Sequence, residues 1–160
     1  MPGAQIEILT THEDILPCSY RARFNTPYRG MNESTTVFKV CFDDCTAIFL
    51  GDAEETNGEA LIALYGKTLL SAEFLQCAHH LINDDKNIYA SIKANKLLIP
   101  QCRYIGNTHD RDNTSFLTGI FGAENMYYAG DCTYVFNVHD GVKTVELFEQ
   151  KGYYFDGSEL

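Results

Sequence analysis

The sequence contains no tryptophan, only four prolines, and no C-x-x-C pair among its six cysteines. No apolar run approaches the roughly 20 residues of a membrane-spanning helix, so no membrane partner is expected. Met1-Pro2-Gly3-Ala4-Gln5 has no basic stretch followed by an apolar one, and hence no secretory leader is expected. Basic residues are scarce: 12 Lys and Arg stand against 22 Asp and Glu, for a net charge of −10. A nucleic-acid partner requires a basic face, which this chain does not supply. Cysteines at 18, 41, 45, 77, 102 and 132 lack thiolate-zinc spacing, and in the absence of a leader they are expected to be reduced. The balance predicts an acidic, cytoplasmic protein.

What remains is an ordinary globular composition, 45% hydrophobic and 21% charged over 160 residues. That length suits one domain, 1–160, with a core large enough to fold without staples. Ile6–Leu9 reads as a strand, followed by an irregular strap from Thr10 to about Thr35. Thr36–Phe42, an Asp43-Asp44 turn and Cys45–Leu50 read as a β-hairpin whose second strand is apolar on both faces. Ala60, Leu61, Leu64 and Tyr65 fall at helical spacing, with Gly66 as the stop. A strand over Leu69–Ala78 follows, ending at His79-His80. After the polar loop Asn83-Asp84-Asp85 come a short helix around Asn87–Ala94 and a strand over Lys96–Pro100. Thr114–Phe121 carries a helical stripe at Phe116, Leu117, Ile120 and Phe121, with Thr114 or Ser115 as its cap. Tyr127–Ala129 is a short strand. Thr133–His139 and Val142–Phe148, joined by Asp140-Gly141, form a closing hairpin. Strands alternating with helices predict an α/β fold with a mixed sheet, helices on one face and a C-terminal β-hairpin.

Two polar features fall where strands stop, the place where α/β sheets gather ligand-binding side chains. One is Gly51-Asp52, after the apolar run Ala47–Leu50; the other is His79-His80. A carboxylate and a neutral imidazole are suitable donors for zinc, manganese or iron. The plainer readings are that Asp52 caps the helix running from Glu54 to Tyr65, and that the His-His pair belongs to a loop. Spacing alone does not choose between them.

The order of motifs from Asn32 to His80 resembles the C-terminal half of a metallo-β-lactamase-fold hydrolase, of the competence-protein-type branch. The matching elements are Asn32-Glu33-Ser34-Thr35-Thr36-Val37, Ile48-Phe49-Leu50-Gly51-Asp52-Ala53-Glu54, Glu59-Ala60-Leu61 and Phe74-Leu75-Gln76-Cys77-Ala78-His79-His80. They parallel an N-x-S-[ST] strand, a strand ending in T-G-D-A-E, a helix and a strand ending in H-H-G. Ile6–Leu9 and His12-Glu13-Asp14 fit the preceding segment. The resemblance implies that Asp52 and His80 are catalytic metal ligands, with His79 beside them as an alternative ligand and Glu54 behind the site. The implied cofactor is zinc or manganese.

The chain also departs from that pattern. It has no H-x-H-x-D-H, His12 is the only histidine before Asp52, and Leu81 stands where the pattern has glycine. At most three of about seven ligands are present, so metal binding by the chain alone is expected to be weak or absent. The family fold is a four-layer αββα sandwich, of which this chain would form half. Phe38, Val40, Ile48 and Leu50 are candidates for an uncovered inner face, among which periodicity does not choose; such a face implies self-association, a partner chain that supplies the missing half, or cover by the chain's own N-terminal strap. Two functions follow from the resemblance: a metal-dependent hydrolase module inactive alone, or a non-catalytic binding or assembly module. A free-standing enzyme using His79 or His80 as a general base ranks third, because no nucleophile stands at telling spacing.

Overall fold

Strand formation follows the apolar and β-branched runs, and neighbouring strands are also neighbours in the chain. The computed structural model describes residues 3–11, 31–42, 45–82, 86–139 and 142–149. Six strands form one mixed sheet in chain order: β1 (Gln5–Thr10), β2 (Val37–Phe42), β3 (Cys45–Phe49), β4 (Ser71–Gln76), β5 (Lys93–Ile99) and β6 (Met126–Tyr128). The pairs β1–β2 and β2–β3 are antiparallel, whereas β3 through β6 run parallel. The parallel half is crossed over by α1 (Glu55–Leu69), α2 (Lys86–Ser91), α3 (Arg103–Thr108) and α4 (Arg111–Phe121). Strands β7 (Cys132–His139) and β8 (Val142–Glu149) form a separate antiparallel hairpin. Residues 12–30 of the strap expected from Thr10 to about Thr35, including His12, and the Asp43-Asp44 turn, the Asn83–Asp85 loop and the Asp140-Gly141 turn lie outside the described residues.

The main core sits between the sheet and its helices. Ile48, Leu50, Leu75, Leu97 and Ile99 from the strands meet Leu61, Ile88, Tyr89, Leu117 and Phe121 from α1, α2 and α4. Each fully buried aliphatic side chain there contributes roughly 1.5–3 kcal/mol by removal from water. Residues of the opposite parity, Cys45, Ala47 and Phe74, form a second cluster with Phe49, Leu98 and Phe136. Here the hairpin covers the sheet: Phe136 of β7 packs edge-on against Phe74 and Tyr127, with ring centroids 4.6 and 5.0 Å apart.

The register divides the four inner-face candidates between the two faces of the sheet. Phe38 pairs with Phe49 and Lys39 with Ile48, so Ile48 and Leu50 point to the helix side and are fully buried. Phe38 and Val40 lie on the other face, half-buried. Among the described residues nothing covers that face towards the sheet edge, where Ile6 is 65% exposed and Ile8 53%.

Helix boundaries also shift. α1 starts at Glu55 and continues past Gly66, whose φ of 67° breaks the helix internally where a stop was expected. α2 ends at Ser91, and Lys93-Ala94-Asn95 joins β5, pairing with β4 from Ser71 onward. α4 begins at Arg111 with Asp110 as its N-cap, not Thr114 or Ser115. Leu117 and Phe121 are buried, whereas Ile120 faces outward. α3 had no periodic signal: the Asp131 carboxylate, far along the chain, accepts the Arg103 N–H at 3.0 and 3.2 Å and satisfies the helix start.

Candidate functional site

Three adjacent parallel strands deliver the site. β3 ends before Leu50-Gly51-Asp52, β4 before Cys77-Ala78-His79-His80, and β5 before Pro100-Gln101. Their carboxyl ends lie side by side, so three loops separated by many residues leave the sheet at one place.

The first loop turns sharply at Gly51, whose φ of +57° is a left-handed conformation that glycine adopts without strain. The turn is fixed at both ends. Gly51 N–H donates to Gln76 Oε1 at 2.7 Å, and Gly51 O accepts from His79 N–H at 2.9 Å. Asp52 therefore leaves the turn free of any helix-capping duty. The N-cap of α1 is Glu54, whose backbone N–H donates to the buried Asn57 Oδ1 at 2.9 Å. The capping reading of Asp52 is thereby overturned.

The second loop runs through three successive non-glycine residues at positive φ: His79 at 44°, His80 at 52° and Leu81 at 79°. The segment before it is anchored in the core. Ala78 N–H donates to Tyr89 Oη at 3.0 Å, and the Cys77 thiol lies 3.3 Å from the same hydroxyl. Burial pushes the Cys77 thiol up to about 11, partly offset by the Tyr89 hydrogen bond. It stays protonated at neutral pH and does not serve as a thiolate donor.

The turn separates the two imidazoles. His80 Nδ1 lies 2.9 Å from the Pro100 carbonyl oxygen. A carbonyl oxygen only accepts, so Nδ1 carries a proton, and in the neutral form of the ring the lone pair is on Nε2. That Nε2 lies 3.7 Å from Asp52 Oδ1, with the two side chains 52% and 45% exposed. His79 faces elsewhere. Its Nδ1 is 3.7 Å from Glu54 Oε1, and its Nε2 is 3.4 Å from Asn32 Nδ2, which also donates to Glu54 Oε1 at 3.0 Å.

The pair Asp52–His80 has the donor chemistry for a divalent cation. Two donors of one tetrahedral zinc ion lie about 3.4 Å apart, close to the observed separation. Proton donation from the other ring nitrogen to a backbone carbonyl is the usual orientation of a metal-binding histidine. Two donors fill only half of such a shell, and among the described residues no group of three or more His, Cys, Asp or Glu could hold a metal ion.

The sequence therefore pointed to residues that do meet, while missing their supports. Pro100, Gln101 and Asn113 act through a carbonyl or an amide and carry no spacing signal. Asn32 did have a signal, inside the Asn-x-Ser motif, but its bridge between Glu54 and His79 appears only in three dimensions. Among the described residues no helix is long and apolar enough to cross a membrane. In comparisons with known proteins, the chain matches no family model, no curated protein and no solved structure.

Proposed function

We propose that this chain carries part of a divalent-cation site, with Asp52 and His80 as donors, in a metal-dependent hydrolase of metallo-β-lactamase type. The remaining donors come from a second polypeptide or a second copy, and the chain alone does not turn over substrate. One observation carries the reading: His80 Nδ1 is committed to Pro100 O, which leaves Nε2 as a lone pair 3.7 Å from the Asp52 carboxylate. Zinc or manganese held there would supply Lewis-acid activation of a water molecule. Asp52 and His80 would orient it, His79 would remain at the flank against Glu54 and Asn32, and the half-exposed position of the pair leaves room for donors from outside. The positive φ of Leu81, where the resembled pattern has glycine, also supports the assignment. Elemental analysis after equilibration with zinc or manganese, in the wild type and in Asp52→Ala, tests it: weak, substoichiometric metal in the first and none in the second is expected.

A second reading, a non-catalytic binding or assembly module, is favoured by the open sheet face. Ile6, Ile8 and Phe42 are exposed there, beside the stacked pair Phe38–Phe49 with centroids 5.0 Å apart. Sedimentation velocity separates the two readings when run with and without metal. Association that ignores metal and the Asp52→Ala change favours the assembly module.

A further inference from the structure

Three L-residues in succession at positive φ survive only where their surroundings over-determine them. At His79–Leu81 every carbonyl has a donor. His79 O accepts Ile82 N–H at 2.8 Å, His80 O accepts Gln101 Nε2 at 2.7 Å, and Leu81 O accepts Asn113 Nδ2 at 2.7 Å. Only the first is local. The Gln101 amide also reaches Asp110 Oδ2 at 3.3 Å, so both its hydrogens have acceptors. Its own backbone is tied down as well, with Gly130 N–H donating to Gln101 O at 3.1 Å. Gln101 directly follows Pro100, whose carbonyl takes the His80 ring proton. One dipeptide thus grips His80 at its ring and at its backbone.

We propose that Gln101 is the positioning residue of His80: its amide hydrogen bond to the His80 carbonyl holds the left-handed turn that directs Nε2 towards Asp52. This rests on the reading of His80 as a cation donor, and it identifies what fixes the direction of that donor. The function requires hydrogen-bond donation, not the bulk of the side chain. Glutamate at 101 has the same shape but would present oxygen to both the His80 carbonyl and the Asp110 carboxylate. The turn would then lose its grip while the core beneath, at Cys77 and Tyr89, keeps its contacts.

The experiment uses the full chain as wild type, Gln101→Glu and Gln101→Ala, each first checked for folded amide dispersion. Long-range proton–nitrogen NMR at about pH 8 reads the His80 tautomer, and cobalt(II) titration reads donor geometry. The wild type is expected to hold the Nδ1–H tautomer. Both variants shift towards the mixture of free imidazole, and the cobalt dissociation constant rises about 10- to 100-fold. An unchanged tautomer and unchanged affinity in a folded variant would overturn the assignment, even with a lowered melting temperature. So would a wild-type His80 in the Nε2–H tautomer, which needs no variant to fold. A wild type that binds no cobalt but shows the variant-dependent tautomer supports the positioning role and removes the cation reading.

Discussion

The carbonyl of Gly51 accepts the backbone N–H of His79 at 2.9 Å, joining the segments that leave β3 and β4 before any side chain takes part. Asp52 and His80 are therefore brought together by main chain. Their own side-chain contact, half-exposed at 3.7 Å, adds little. This explains why an acidic and an imidazole side chain can face each other without a buried charge network to hold them.

Gly51→Ala should disrupt that junction. A Cβ at this position would lie 2.8 Å from Thr35 Cγ2, and the residue holds φ +57°. A loss of about 1–3 kcal/mol is expected from left-handed strain and the clash together. Urea denaturation measures it. Repeating it in a Thr35→Ser background, which removes Cγ2, should recover the steric part and leave the backbone part.

Helix capping separates Asp52 from its neighbours. Asn57 is fully buried and accepts the Glu54 N–H, so Asn57→Ala should cost about 1–2 kcal/mol. Asp52→Ala, at a half-exposed position off the cap, should stay within about 0.5 kcal/mol of the wild type. Equal losses in both variants would return Asp52 to a structural role.

Leu81 sets two effects against each other. Leu81→Gly relieves a left-handed residue, worth about 1–2 kcal/mol, but removes a side chain that is 1% exposed in the main core. Loss of a buried leucine costs about 2–5 kcal/mol. Packing should win, and the variant should be less stable by about 1–3 kcal/mol in chemical denaturation.

How much of this was legible in the sequence follows from the range of each interaction. β3 and β4 announced themselves by apolar runs, and Gly51-Asp52 and His79-His80 by the polar residues that end them. Which face Ile48 occupied depended on its pairing with Lys39, a register that a run apolar on both faces does not specify. α3 depended on Asp131, an acceptor brought to its first N–H by tertiary position, and α4 began at Asp110 without a side-chain capping bond to mark it. The strained turn at His79–Leu81 was invisible because none of its residues is glycine. Its supports, Gln101 and Asn113, act through single amide hydrogen bonds that leave no pattern.

The buried Cys77 gives a pH signature. Its thiol is raised from 9.0 to about 11, so the folded state keeps a proton that the unfolded chain gives up earlier. That contribution is present below about pH 9 and is lost as the pH rises towards 11. A decline of roughly 2–3 kcal/mol is expected across the window. Cys77→Ala should lack this component, and comparing the two alkaline denaturation profiles cancels the raised Tyr134 but not all of Tyr128, which the Cys77 charge itself helps to raise.

Isothermal titration of zinc into the metal-stripped chain, alongside Asp52→Ala and His80→Ala, tests the central claim most directly. Weak binding, at most one ion per chain and abolished by either substitution, is the expected result. Binding that persists unchanged in both variants, or a wild type that takes up no metal, would contradict the claim.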